Sequence, residues 1–166
     1  MTDPQPQSLV PRVLLVGVDY SAESRCAAEH ALRYARALGA HVHLLHAWVA
    51  PYAPPTIAPG DGSPVDAAAD LTTPDLLALV RRTAEEQMAQ FVAALDASDV
   101  SVTTNIESGD PRKVIPDYAK RHACDWVIVG KRSLSHVSEW FLGNVATYVV
   151  RHCQVPVLVV PNREAP

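Results

Sequence analysis

No apolar run in this chain approaches the roughly 20 residues that a membrane-spanning helix needs, so no membrane association is expected. Met1 to Gln7 is polar and has no basic stretch leading into an apolar core, which argues against a secretory signal. Cysteine is scarce. Cys26, Cys124 and Cys153 are odd in number, widely spaced and without a CxxC pair, as expected of reduced thiols in a cytoplasmic compartment. A basic excess is missing too: 14 Lys and Arg stand against 18 Asp and Glu, a net charge of -4, so nothing favours nucleic acid. The GxGxxG pattern of dinucleotide sites is absent. Gly130-Lys131 imitates the end of a P-loop, but Asp125 occupies the place of the upstream glycine and Arg132 follows where Ser or Thr is required.

What is present is the material of one globular domain. The 166 residues are 48% hydrophobic and 19% charged, enough for a single core. Residues 1–10 read as a flexible N-terminus, 11–162 as the domain and 163–166 as a tail. Arg12 to Val18 is a continuous apolar run, the mark of a strand buried on both faces. Ala22 to Leu38 carries Ala28, Leu32, Ala35 and Leu38 at helical spacing and ends at Gly39, a C-terminal cap. His41 to Val49 reads as a second strand. Pro51 to Pro74 holds six prolines and few large apolar residues, and is expected to be a long irregular loop. Pro74 to Leu95 is an amphipathic helix, and Val100 to Ile106 a third strand. Pro111 to His122 is a helix with proline in its first turn. Asp125 to Val129, Gly143 to His152 and Pro156 to Val160 complete the series as strand, helix and strand. Strands alternating with helices imply a parallel sheet with right-handed crossovers and helices on both faces. In such sheets ligands sit beyond the carboxyl ends of strands, where the strand order reverses.

Residues 126–160 carry the strongest functional signal. An apolar run ends at Gly130, a polar loop follows, and Gly143-Asn144 opens a helix. A strand that breaks at glycine and feeds a helix N-terminus suits an anion, because free backbone N–H groups and the positive end of the helix dipole converge there. Asp19 follows the first strand and reads either as a ligand contact or as the N-cap of the next helix. Lys131 and Arg132 read as phosphate-neutralising charges or as a solvated pair. Ser21, Ser24, Ser133, Ser135 and Ser138 read as phosphate ligands or as caps.

His41, His43 and His46 invite a zinc reading, but no third ligand at local spacing accompanies them and no metal is expected. His152-Cys153 and His122 beside Cys124 lie at helix ends. There the dipole explains a histidine without a Cys–His nucleophile.

The chain resembles the universal stress proteins from Val13 to Val160. The resemblance rests on V-L-L-V-G-V-D-Y-S, H-A-W, S-G-D-P, D-W-V-I-V-G, L-G-N-V-A and the closing R-H-C-Q-V-P-V-L-V-V. It implies a flavodoxin-like, adenine nucleotide alpha hydrolase-like α/β fold, with a five-stranded parallel sheet of order 3-2-1-4-5. It implies a homodimer, and ATP or AMP as ligand, with Mg2+ accompanying the nucleotide.

The family's motif is G-x2-G-x9-G-(S/T). Gly130 and Gly143 match its first and third glycines. Ser133 replaces the second, and Asn144 replaces the Ser or Thr, so weakened or altered binding is expected. The residues the resemblance assigns to the nucleotide are Asp19, Tyr20, Ser21, Ala47, Gly130, Lys131, Arg132, Ser133, Gly143, Asn144 and Val145. Val157, Leu158, Val159 and Val160 form an apolar edge expected to pair with a second copy.

No catalytic residue is identifiable, and at most weak ATPase activity is expected. Two rivals remain open. One is a nucleotide-free dimeric interaction scaffold, favoured by the two departures from the motif. The other is an ATP-pyrophosphatase-type enzyme, disfavoured because D-Y-S-A-E-S stands where that class has a glycine-rich loop.

Overall fold

The computed structural model describes residues 10–49, 56–57, 64–65, 74–131 and 143–162. In chain order these form β1 (Val13–Gly17), α1 (Ala22–Leu38), β2 (His41–Trp48), β3 (Thr56–Ile57), β4 (Pro64–Val65), α2 (Pro74–Ala93), β5 (Val102–Ser108), α3 (Pro111–Arg121), β6 (Trp126–Lys131), α4 (Asn144–His152) and β7 (Val157–Pro161). Five strands make one parallel sheet in the order β5-β2-β1-β6-β7. Numbered within the sheet alone, this is 3-2-1-4-5, as the resemblance implies.

Period-two alternation along the central strands builds a core on each face. Leu14 and Val16 of β1 face one side, with Ile128 of β6, the alanine stripe of α1, and Met88 and Phe91 of α2. Leu15 faces the other side, with Val127 and Val129, Ile115 and Tyr118 of α3, and Ala146 and Val149 of α4. Because β1 and β6 are covered on both faces, Leu14, Leu15, Val16, Val127 and Ile128 are wholly buried. Truncating such a leucine to alanine costs about 2–5 kcal/mol, through lost transfer energy and a cavity.

The helices begin and end where local chemistry dictates. The Ser21 side chain caps α1 by accepting from Ser24 N at 3.2 Å, and Gly39 closes it in the left-handed region at φ 64°. Ala27, Ala28, Ala31 and Ala35 form a buried stripe of small side chains on which α1 lies against the sheet. Asp110 caps α3, accepting from Arg112 N at 2.9 Å, and Pro111 stands in its first turn. The S-G-D-P motif has a steric reason as well. Gly109 adopts φ 142°, and a Cβ there would lie 2.8 Å from Val114 Cγ2, so glycine alone suits the turn from β5 into α3.

The segment expected to be irregular contains one ordered feature. Thr56–Ile57 pairs antiparallel with Pro64–Val65, while the rest of 51–73 lies outside the described residues. The third sheet strand runs from Val102 to Ser108, two residues beyond the expected end at Ile106, because pairing with β2 continues from Ala47↔Glu107 to Trp48↔Ser108.

β7 occupies one edge of the sheet. Val160 is buried there, and Val157, Leu158 and Val159 are half-buried.

Candidate nucleotide site

The strand order reverses between β1 and β6, and their carboxyl ends open onto a cavity of about 300 Å³. That position is the one at which open α/β sheets bind ligands, and the volume lies at the small end of ligand pockets. Three parts of the chain meet there.

The first is the turn from β1 to α1. Asp19 and Ser21 line the cavity. Asp19 Oδ1 accepts from Ser21 N at 3.1 Å and makes a short hydrogen bond with the Ser21 hydroxyl. Ser21, not Asp19, is the N-cap of α1. Of the two readings of Asp19, the capping one therefore fails, because Ser21 Oγ already meets the helix N–H of Ser24. The carboxylate of Asp19 instead spans the turn across Tyr20.

The second is the end of β6. Gly130 has no positive φ, and its demand is for space. A Cβ there would lie 2.6 Å from both the carbonyl carbon and the carbonyl oxygen of Glu23. The first turn of α1 can press against β6 only if residue 130 has no side chain.

The third is the start of α4. Gly143, Asn144 and Val145 line the cavity. Gly143 is the N-cap but contributes no side-chain cap bond, and no acidic residue stands in the first turn. The first N–H groups of a helix have no intrahelical acceptor, and α4 directs this positive end to the cavity.

The opposite wall is apolar. Leu45, Ile115, Pro111 and Val129 face the cavity beside Ala47. Of these, sequence reading singles out only Ala47. Pro111 carried a signal in S-G-D-P, whereas Leu45, Ile115 and Val129 look like any core residue. Ser24, one of the serines singled out in the sequence, also lines the cavity, as does Glu23, which was not anticipated. Their place follows from α1 abutting Gly130.

Of the remaining expected residues, Tyr20 and Lys131 are described and are not among those lining the cavity. Tyr20 does not line the cavity: its side chain packs on the opposite face, against Phe91 of α2. Lys131 ends β6 and is not among the cavity's lining residues. Arg132 and Ser133 lie outside the described residues, as do Ser135 and Ser138.

The histidines of β2 have structural partners. His41 and His43 do project to one face, with ring centroids 4.9 Å apart. His41 Nε2 is hydrogen-bonded to Thr103 Oγ1 at 2.7 Å, His43 Nδ1 to the Tyr118 hydroxyl at 2.9 Å, and His46 Nδ1 donates to Val18 O at 2.8 Å. Burial lowers the His43 pKa, and the neighbouring His41 and His122 push it the same way. Among the described residues no group of three potential ligands is placed to hold a metal.

His122 stacks on Tyr118 at 4.0 Å, and His152 on Tyr148 at 3.8 Å, while His152 Nδ1 donates to Tyr148 O. Cys124 is buried, and its thiol pKa is pushed up to about 11, so it is no thiolate nucleophile at neutral pH. One further contact, unanticipated by sequence reading, lies on α1, where Cys26 Sγ is 3.7 Å from His30 Nδ1.

A doubly wound parallel sheet with a crevice at its switch point defines the class of domain. Comparison with known proteins is specific: residues 11–161 match the model of the Usp, or universal stress protein, family. The chain belongs to the universal stress protein family. A universal stress protein of Synechocystis is 35% identical over 79 residues, 48% of this chain and 51% of that protein, so the match spans about half the relative's length.

The solved structure of universal stress protein UspA from Lactobacillus plantarum is 28% identical, with a TM-score of 0.63 over 90% of this chain and 97% of that one. A family member from Arabidopsis thaliana solved with AMP bound is 24% identical, with a TM-score of 0.60 over 94% of this chain and 97% of that one. A further universal stress protein of this fold was solved in complex with cAMP.

Proposed function

We propose that this protein is an adenine-nucleotide-binding module, with AMP or ATP held between the ends of β1, β6 and α4. The observation that carries the reading is the N-terminus of α4 opening onto the same cavity as the Asp19 carboxylate. The two features are chemically complementary to the two ends of a nucleotide. The helix end favours phosphate, through the N–H groups of its first turn and the positive dipole end. A carboxylate accepts hydrogen bonds from ribose hydroxyls or an adenine amino group. Between them, Leu45, Ile115 and Val129 offer apolar surface for a base. The AMP-bound and cAMP-bound relatives support the same ligand class.

The cavity contains no assembled nucleophile and base among the described residues, and the reading is binding with little or no hydrolysis. Asp19 is engaged by Ser21, and the buried thiol of Cys124 belongs to the core cluster under α3 and α4. Mg2+ would accompany the phosphates of ATP. Calorimetric titration of nucleotide-free protein with AMP and with ATP tests the reading. Binding at or below about 1 mM, equivalent to roughly -4 kcal/mol, is expected. No heat and no competition by either nucleotide at that concentration would leave the nucleotide-free scaffold as the function.

We also propose a homodimer paired through β7. The edge position of Val157 to Val160 supports this reading, since a bare apolar edge strand leaves N–H and C=O groups unpaired.

A further inference from the structure

Tyr20 stands between two residues that line the cavity, yet its own side chain leaves by the other face of the sheet. Its backbone lies in the left-handed region, at φ 62°. Bulky L residues avoid that region because Cβ crowds the following carbonyl, so other contacts must hold the residue there. Three such contacts exist. The Tyr20 hydroxyl donates to Ala84 O of α2 at 3.0 Å. Its ring centroid lies 4.5 Å from that of His46 and 5.9 Å from that of Phe91, the latter edge-on.

The residue before Asp19 is pinned as well. Val18 N donates to Leu45 O at 2.8 Å, and His46 Nδ1 donates to Val18 O at 2.8 Å.

The hydrogen bond from Ser21 N to Asp19 Oδ1 closes a ring that passes through the backbone of Tyr20. The φ angle of Tyr20 sets where Ser21 N lies relative to Asp19, and so which orientation of the carboxylate can accept from it. Asp110 closes the same kind of ring to Arg112 N across Pro111, whose ring holds φ negative, so a negative φ at Tyr20 would keep such a ring only with the carboxylate turned another way.

Resting on the adenine-nucleotide reading of the cavity, we infer that Tyr20 is a positioning residue: anchored on α2 through Ala84 and on β2 through His46, it holds the β1–α1 turn in the conformation that aims Asp19 at the nucleoside. It touches no ligand itself. Burial pushes the Tyr20 pKa up to about 12, so the hydroxyl stays a donor throughout the neutral range. A second consequence follows from the geometry. Because Ala84 belongs to α2, a change in how α2 sits on the sheet reaches Asp19 through one side chain, and nucleotide binding is felt at α2 in return.

Tyr20→Phe keeps the ring contacts and removes only the bond to Ala84. It should weaken AMP binding by about fivefold, the scale of one ordinary hydrogen bond. Asp19→Asn should weaken binding by itself, and in that background Tyr20→Phe should add little, since both changes act on one contact. An equal further loss in the Asp19→Asn background, or no loss in either, would overturn the inference, because a general loosening of the fold weakens both backgrounds alike.

A ligand-free measurement separates this failure from failure of the nucleotide reading. In carboxyl-detected NMR, Tyr20→Phe should move the side-chain resonance of Asp19 and leave that of Asp125 unmoved, since Asp125 is held by Arg12 N and Val13 N at the other end of the sheet. If wild-type protein fails to bind AMP while Asp19 still moves, the ligand is wrong and the positioning role of Tyr20 stands. If Asp19 does not move, the role is wrong whatever binds.

Discussion

Gly130 and the backbone of Glu23 are in such close approach that a Cβ on Gly130 would lie 2.6 Å from the Glu23 carbonyl oxygen and 2.9 Å from its Cβ. The first glycine of the nucleotide motif thus has a packing duty independent of any ligand: it lets the first turn of α1 close against the end of β6. The same contact brings Glu23 and Ser24 to the cavity wall.

Gly130→Ala is therefore expected to destabilise the fold even without nucleotide. The clashing atoms are backbone, which moves only with the helix, and overpacking of this kind costs about 1–3 kcal/mol. Urea unfolding of the ligand-free protein is the measurement. An unchanged midpoint would show that α1 can shift away from β6 without cost.

Gly143→Val should abolish or strongly weaken nucleotide binding. At φ -56° and ψ 155° the backbone of Gly143 is one that any L residue adopts, so the change does not strain the backbone itself. Its branched side chain would instead occupy the space in front of the α4 N–H groups. Ser133→Gly restores the family's second glycine and should tighten ATP binding. Equal affinities for both variants and wild type in a calorimetric titration would place the phosphate elsewhere.

Acid should destabilise the protein through His43. Its folded pKa is lowered, first by burial and then by His41 and His122, so the folded state disfavours the proton that the unfolded chain accepts. The sign follows from linkage: the unfolded state binds more protons, stability is fully present above the unfolded value of about 6.5, and it is lost as pH falls from there through the folded pKa. Tyr118 also faces His43, its hydroxyl bonding Nδ1, and Arg121 lies over the Tyr118 ring and pairs with Glu107 of β5 at 2.6 Å. His43→Gln keeps a polar partner for Tyr118 and removes the titration. The fall in thermal midpoint between about pH 7.5 and 5.5 should be smaller in this variant than in wild type, and an equal fall would remove His43 as the cause.

Pairing through β7 predicts that Leu158→Lys with Val160→Lys turns a dimer into a monomer or an insoluble chain. Val160 is 3% exposed and forms part of the core against α1, so the second outcome would show that its role inside the protomer dominates. Leu158→Lys alone, at a half-buried position, isolates the edge. Sedimentation of wild type as a monomer at micromolar concentration would remove the proposed dimer.

Chain-local chemistry was enough for the architecture. Continuous and alternating apolar runs, an alanine-rich helix ended by Gly39, and proline at the start of α3 are consequences of backbone geometry that act over a few residues, and the parallel direction of the strands follows from their alternation with helices, whereas the strand order was implied by the family resemblance. The spacing of Gly130 and Gly143 likewise marked where the cavity opens.

Tertiary structure decided what depends on atoms far apart in the chain. That Tyr20 turns to Ala84 rather than to the cavity, that Gly130 serves Glu23, and that His43 bonds Tyr118 across 75 positions are settled only when α1, α2 and α3 pack. Between Asp19 and Ser21, a ligand-facing side chain and a core-facing one look alike in sequence. Their directions are set by a φ angle that the packed helix, not the local residue preference, imposes.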